Sequence, residues 1–464
     1  MAHVLHLQYN ITICTRMVIL TKVKFSYKFF QYRKKLFNDE LDNNSISFLV
    51  LKSQFLWKAV TGYPEELKRL YVRAKELNIV NEVINAEDEY GRSALLLSIS
   101  KGNVNTAEYI IELGADVNAS TDERNGEFRG NTPLIEASGR GYVSIVMLLI
   151  EKGAEVDAIR KDGNHAALLA SQNGHLPVLK LLTSKNPNVV NLQGDNVAMP
   201  LIEASLEGHL DIVKYLSSLP KSNLDIQNNY GETPLIAASY KNHPKIVSFL
   251  IQKGANTSIK ANSGRNALST AAAYGYFDVV KILIENDPNV GENLNTQAND
   301  GGTPLIYASY KNHLKIVQYL LQKGANASIK DNDGSTAIFR ASTKGHLVVL
   351  KLLVEKHPNT ADEKGTQGMT PLIVASRKGH LEIVKFLTSI PEINLDSQDD
   401  SGFTSIIWAA VKNHPDIIQF LLQKGADPSI TDINGFNALG YANHANEIEG
   451  VKNEKVIQIL QKYA

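Results

Sequence analysis

One cysteine in 464 residues, Cys14, offers no second thiol for an intramolecular disulfide and no thiolate set for structural zinc. That fits a reducing compartment, and the cytoplasm is the expected location. Charge of one sign is not in excess either: Lys+Arg 48 balance Asp+Glu 48. No global field therefore draws the chain to nucleic acid or anionic lipid, although local patches remain open. No apolar run approaches the roughly 18 residues that a spanning helix needs. The phosphate-binding pattern G-x-x-x-x-G-K-[ST] is missing, as are H-E-x-x-H, C-x-x-C and G-x-S-x-G. The reading is of a non-enzyme with no cofactor, no metal and no small-molecule substrate.

Acidic residues are missing from Met1 to Asn38. Arg16, Lys22, Lys24, Lys28, Arg33, Lys34 and Lys35 are interleaved there with Phe25, Tyr27, Phe29, Phe30 and Tyr32, a mixture that suits anionic interfaces. A signal peptide is laid out differently, with basic residues before the apolar stretch and a small-residue cleavage site after it. Residues 1–53 are read as a disordered leader, dispensable for folding through Leu51. Membrane contact, if the chain makes any, is confined to this leader.

What the chain has in abundance is repetition. "TPLIAASYKNHPKIVSFLIQKGANTSIKANSG", from Thr233 to Gly264, returns as "TPLIYASYKNHLKIVQYLLQKGANASIKDNDG", from Thr303 to Gly334. Further copies start at Asn131 and Met369, and weaker ones near Ser93, His165, Met199, Asn266, Thr336, Thr404 and Asn437. Most starts lie 33 or 34 residues apart. A longer period overlies the short one: His165, Met199, Thr233 and Asn266 have counterparts 171 positions on at Thr336, Thr370, Thr404 and Asn437. Blocks of several repeats were copied together. An array of stacked units, each touching its neighbours, accounts for such a sequence where a single catalytic domain does not.

Each unit reads as two helices and a turn. Thr supplies an N-cap oxygen, and the Pro behind it takes the first helical position, where no N–H is required. Leu235, Ile236 and Ala238 share one face of a short helix. "KNH" or "KGH" then breaks it, with Gly208, Gly345 and Gly379 free to adopt positive φ. A second helix follows with Ile246, Val247, Leu250 and Ile251 at helical spacing, and ends at "QKGA". "SIKDNDG" is left for an extended segment and a turn.

"GETPLIAAS" followed by "NHPKIVSFLIQKGAN" resembles the ankyrin repeat, and the resemblance extends from about Tyr90 to Ala464. It implies an all-α solenoid of helix pairs with β-hairpin-like turns, and units at 90–119, 129–158, 162–192, 196–226, 230–259, 263–292, 300–329, 333–363, 367–397 and 401–430. A C-terminal capping repeat is expected at 434–464 and a degenerate capping unit at 54–89. The family's T-P-L-H is here T-P-L-I, with Ile135, Ile202, Ile236, Ile306 and Ile373 in fourth place. Apolar packing must replace the hydrogen bonds that the resemblance implies for that His.

Seven of the twelve histidines occupy one repeat position: His175, His209, His243, His313, His346, His380 and His414. Helices stacked about 8–10 Å apart hold successive imidazoles too far apart to share a zinc, so these are read as turn residues that satisfy helix ends. A basic stripe precedes them at Lys101, Arg140, Lys241, Lys311, Lys344, Lys378 and Lys412. Compensating acids elsewhere in each unit, and the helix dipole, argue against a nucleic-acid surface.

Within the fixed frame two positions change freely. The resemblance implies that these first-helix positions and the turn tips line a concave, partner-gripping face. Tyr240, Tyr274, Tyr307, Tyr310, Arg340, Arg377 and Trp408 are the expected partner-binding residues, of the types that hot spots favour. The function expected is protein binding by a monomeric scaffold. The alternative is an effector or targeting subunit docked to a membrane by its basic leader, with nucleic-acid binding a weaker third reading.

Overall fold

The computed structural model describes residues 43–122, 126, 129–192, 199–220, 222–448 and 453–463. Among them the regular structure is helical, and extended chain takes part only in isolated bridges, such as that between Glu87 and Ser93. Expected strand-like segments in the turns are thus tight turns. No described helix is long and apolar enough to cross a membrane. Two compact units are present: the described residues up to Ala137 with Tyr142–Arg160, and Ser138–Gly141 with those from Lys161 onward.

The repeat frame of the second unit builds as its sequence dictates. Thr233 is extended, and its Oγ1 accepts the Ile236 N–H at 3.2 Å. Pro234 follows at the first helical position, and Pro234–Tyr240 runs as a short helix. Thr303, Thr336, Thr370 and Thr404 cap their helices in the same way at 3.2–3.3 Å. Ile202, Ile236, Ile306 and Ile373 are all buried, so apolar packing does replace the family histidine. In the second helix, Pro244–Gln252, the expected Ile246, Val247, Leu250 and Ile251 are the buried side.

Where the turn between the helices carries a histidine, it locks its repeat to the one before. His243 Nε2 donates to Leu206 O at 2.9 Å, one of the carbonyls left open at a helix end. His175, His209, His313, His346 and His380 reach back likewise, to Gly139, Gln172, Ala273, Tyr310 and Thr343 at 2.9–3.3 Å. Their helix-end role is therefore as read from the sequence. Gly208 ends its helix at φ 88°, and a Cβ there would lie 2.6 Å from the His243 ring. Glycine is needed at this position twice over, for backbone angle and for space.

Hairpin tips stack through single backbone bonds. Asn262 N donates to Tyr230 O at 2.8 Å, Asn332 N to Asp300 O at 3.0 Å and Asp400 N to Gln367 O at 3.1 Å. Between the helices of residues 267–286 and 304–322, the longer connection adds a short helix, Val290–Asn293. It is tied down by a buried polar knot: Thr257 Oγ1 and Asn293 Nδ2 each donate to Asp287 at 2.6 Å.

In the first unit the leader boundary needs correction. A helix runs over Asn43–Thr61, so a leader ending at residue 53 would cut through it, and Leu51, expected to be dispensable, is buried. Asn103 Nδ2 donates to Ala59 O and Val60 O at 2.9 and 2.8 Å. That is the backward reach the histidines make elsewhere, and Asn43–Thr61 lies where a first helix would. It lacks the T-P-L-I signature, which is why the sequence hid it. The basic and aromatic residues of the leader lie outside the described residues.

Candidate functional site

The residues expected to bind a partner project from the first helices of the second unit, and the structure sorts them into two kinds. Some are anchored to the hairpin of their own repeat. Asp399 shows how: its Oδ1 accepts the Ser401 and Phe403 N–H groups at 2.9 Å each, closing the hairpin as an Asx turn. Its Oδ2 accepts from Trp408 Nε1 at 2.7 Å. Asp331 likewise holds Arg340, whose Nε donates at 2.7 Å, and Asp432 holds the Tyr441 hydroxyl at 2.6 Å. In each case nine residues separate carboxylate and donor. Asp-x-x-Gly nine residues ahead of a donor is the sequence signal for this clamp, and it spans the boundary between one repeat frame and the next, where the repeat pattern conceals it.

Tyr307 departs most from expectation. It is 9% exposed, donates its hydroxyl to Asp300, and lies under the Arg265 guanidinium, 4.2 Å from the ring centroid. Burial first, and then the bond to Asp300, push its pKa up to about 12. Gly302 gives the ring its space, since a Cβ there would approach within 2.5 Å. Tyr307 is thus a packing residue and not an exposed anchor. Arg340 is also committed, bridging Asp331 and Asp333 at 2.7 Å each.

The second kind remains at the surface. Tyr274 is 46% exposed and meets Tyr240 edge-on at 4.9 Å and Tyr276 in a stack at 6.1 Å. Half-buried Tyr310 sits between two cations, with Lys344 4.6 Å and Lys311 5.6 Å from its ring. Lys344, hydrogen-bonded to the Tyr310 hydroxyl, holds that phenol below its ordinary pKa. Arg377 lies over the Trp408 indole at 4.2 Å, and Trp408 rests on a core of Phe339, Met369, Ile373 and Val374. Tyr240 is therefore brought to Tyr274, and Arg377 to Trp408, while Tyr310 keeps company with lysines.

Upstream on this surface the charge reverses. Glu203, at the repeat position of Tyr307 and Trp408, has its pKa raised to about 7 by burial and by the neighbouring charges of Glu207 and Glu232. Gln172 Nε2 donates to its carboxylate at 3.3 Å. Nothing in the local pattern of Glu203 distinguishes it from an ordinary solvated glutamate.

Comparison with known proteins is consistent with this architecture. The family described as "Ankyrin repeats (3 copies)" matches residues 118–193, 201–293, 290–362 and 349–432, and "Ankyrin repeat" matches 90–122. Ankyrin repeat domain-containing protein 63 of Homo sapiens is 26% identical over 152 residues, 31% of this chain and 37% of that protein. Protein fem-1 homolog A-like of Mus musculus is 34% identical over 113 residues, 24% of this chain and 16% of its own length. E3 ubiquitin-protein ligase KEG of Arabidopsis thaliana is 29% identical over 122 residues, 25% of this chain and 7% of that protein. The chain thus spans well under half of each of these relatives. The matched repeats are generally protein-interaction modules without catalysis of their own, and neither family match is to an enzymatic domain. Because these matches lie over the helix pairs that carry the threonine caps and the backward-reaching histidines, the chain belongs to the ankyrin repeat family.

Proposed function

We propose that the chain is a non-catalytic scaffold of eleven ankyrin repeats behind an opening cap, binding a partner protein as a monomer through its first-helix face and hairpin tips. The observation that carries this reading is a division of labour among side chains. Frame residues are buried, and Tyr307 and Arg340 are consumed by internal contacts, yet Tyr240, Tyr274 and Tyr310 keep ring surface outside. On the last hairpin Ile433 and Phe436 are 76% and 47% exposed. Aromatic surface left exposed at an edge is the material of binding hot spots.

The test is capture of proteins from a lysate by the full chain and by a double variant, Tyr274→Ala with Tyr310→Ala. Both substitutions are at surface rings, so helical circular dichroism and melting temperature should stay unchanged. A protein retained by the natural chain and lost by the variant is the expected result. An identical set of captured proteins, or none with either chain, refutes the reading.

A further inference from the structure

One repeat position, at the C-terminal ends of successive first helices, is occupied by Lys241, Tyr274, Lys311, Lys344, Lys378 and Lys412. All six side chains are exposed. Among the described residues none of the five lysines enters an ion pair; three of them neighbour rings, Lys241 over Tyr240 at 5.5 Å and Lys311 and Lys344 over Tyr310. Several carboxylates of these repeats are engaged elsewhere. Glu382 pairs with Lys385 at 2.8 Å, Asp416 with Lys455 at 2.9 Å, and Asp331 and Asp333 with Arg340. The compensating acids expected from the sequence therefore do not compensate this row.

The helix dipole does not explain it either. Every first helix presents the same partial negative charge at its end, yet the two preceding repeats carry Asn173 and Glu207 at this position. Five cations without an ion-pair partner at one repeat position, interrupted once by Tyr274, form a surface that lacks its counterpart in a chain of zero net charge.

Resting on the protein-binding reading above, we propose that this row docks an acidic segment of the partner protein, held as a polyproline II helix with a carboxylate at every third residue. Spacing selects that conformation. Helices pack about 8–10 Å apart, so Lys311, Lys344, Lys378 and Lys412 recur at roughly that interval, with Lys241 two intervals before Lys311. A polyproline II helix has three residues per turn and rises about 3.1 Å per residue, which returns a side chain to the same side every ~9 Å. A strand does so every ~7 Å and an α-helix every ~10.8 Å over two turns, so each drifts by about 2 Å per ~9 Å interval where polyproline II stays in step. Tyr240, Tyr274 and Tyr310 add the aromatic walls on which such helices are commonly seated. A nucleic-acid strand carries a phosphate every ~3.4 Å of its axis and would leave most of them unmatched here.

The test uses the full chain and fluorescently labelled peptides, followed by anisotropy at low salt. The first peptide is (Glu-Pro-Pro) repeated six times; the second has the same composition with its six glutamates contiguous; the third probe is an 18-nucleotide oligothymidylate. The expected result is binding of the periodic peptide about tenfold or more tighter than the contiguous one. The triple variant Lys311→Gln, Lys344→Gln, Lys378→Gln should weaken it by about tenfold, three exposed pairs being lost. Equal binding of the two peptides, binding of neither, or tighter binding of the oligonucleotide overturns the proposal. Should the triple variant fail to fold, the comparison of peptides on the natural chain decides alone. Failure of the periodic peptide while capture still depends on Tyr274 and Tyr310 removes this inference and leaves the protein-binding reading standing.

Discussion

The helix Ala166–Gln172 starts from His165, where most neighbouring repeats start from threonine. The imidazole is fully buried; its Nδ1 accepts the Leu168 N–H at 3.4 Å, which places the proton on Nε2, and Nε2 has no partner. A second proton would put a charge where neither water nor a carboxylate meets it, and burial accordingly lowers the pKa to about 4. Above pH 6.5 both folded and unfolded chains hold this ring neutral, and it adds no pH dependence. As pH falls from 6.5 toward 4 the unfolded chain gains a proton that the folded repeat cannot accept, so stability is lost. At about 1.4 kcal/mol per pH unit the loss reaches about 2 kcal/mol by pH 5. His165→Thr keeps a capping oxygen of the kind Thr233 supplies and removes the titrating group. The assay is hydrogen exchange of the amides of Ala166–Gln172 at pH 7.5 and 5.0, corrected for intrinsic rates, in both chains. Local stability should fall in the natural chain by about 2 kcal/mol more than in the variant. Parallel behaviour within about 0.5 kcal/mol would show that His165 titrates as a solvated histidine, and would refute the burial argument.

Two glycines of nearly equal φ should respond differently to alanine. Gly254, at φ 89° with nothing within 4 Å of the place a methyl would take, should lose about 1 kcal/mol on Gly254→Ala. Gly208→Ala should cost about 2–3 kcal/mol, because the methyl also displaces His243 from Leu206 O; equal losses in urea titrations would mean that the ring yields freely. A chain starting at residue 54 should melt below one starting at residue 43, since it lacks half of Asn43–Thr61 and the buried Leu51. Identical melting would deny that helix its capping role.

Much of the frame was legible because one residue type does one job at each of its positions. Threonine before proline caps, glycine after lysine turns, and isoleucine in fourth place fills a dry site, whichever repeat is read. The helix at Asn43–Thr61 was not legible as part of the stack, because without the signature only its packing identifies it. Among the candidate binding residues a tyrosine looks alike in sequence whether it ends in the core or at the surface. Tyr307 and Tyr310 are three residues apart on one helix, and what separates their fates is Asp300 and Gly302 on the preceding hairpin for the first and Lys344 on the following repeat for the second. Those partners are fixed by the stacking of neighbours and not by the local string.

The backward reach of the turn histidines bears on how such a chain can lengthen. At His209, His243, His313, His346 and His380 the joint is made by the same two atoms, an imidazole nitrogen on one repeat and a main-chain oxygen on its predecessor, while the repeat between His243 and His313 has Tyr276 at this position. Because the acceptor belongs to the backbone, it is present whatever side chain stands there, be it Gln172, Leu206, Ala273, Tyr310 or Thr343. A repeat that carries the turn histidine can therefore follow any other without a matching mutation across the seam. A recombination event that drops in a run of whole repeats meets compatible fittings at both ends, and the side chains of its exposed positions arrive as a ready-made cassette, free to diverge toward a new ligand while the joinery stays untouched.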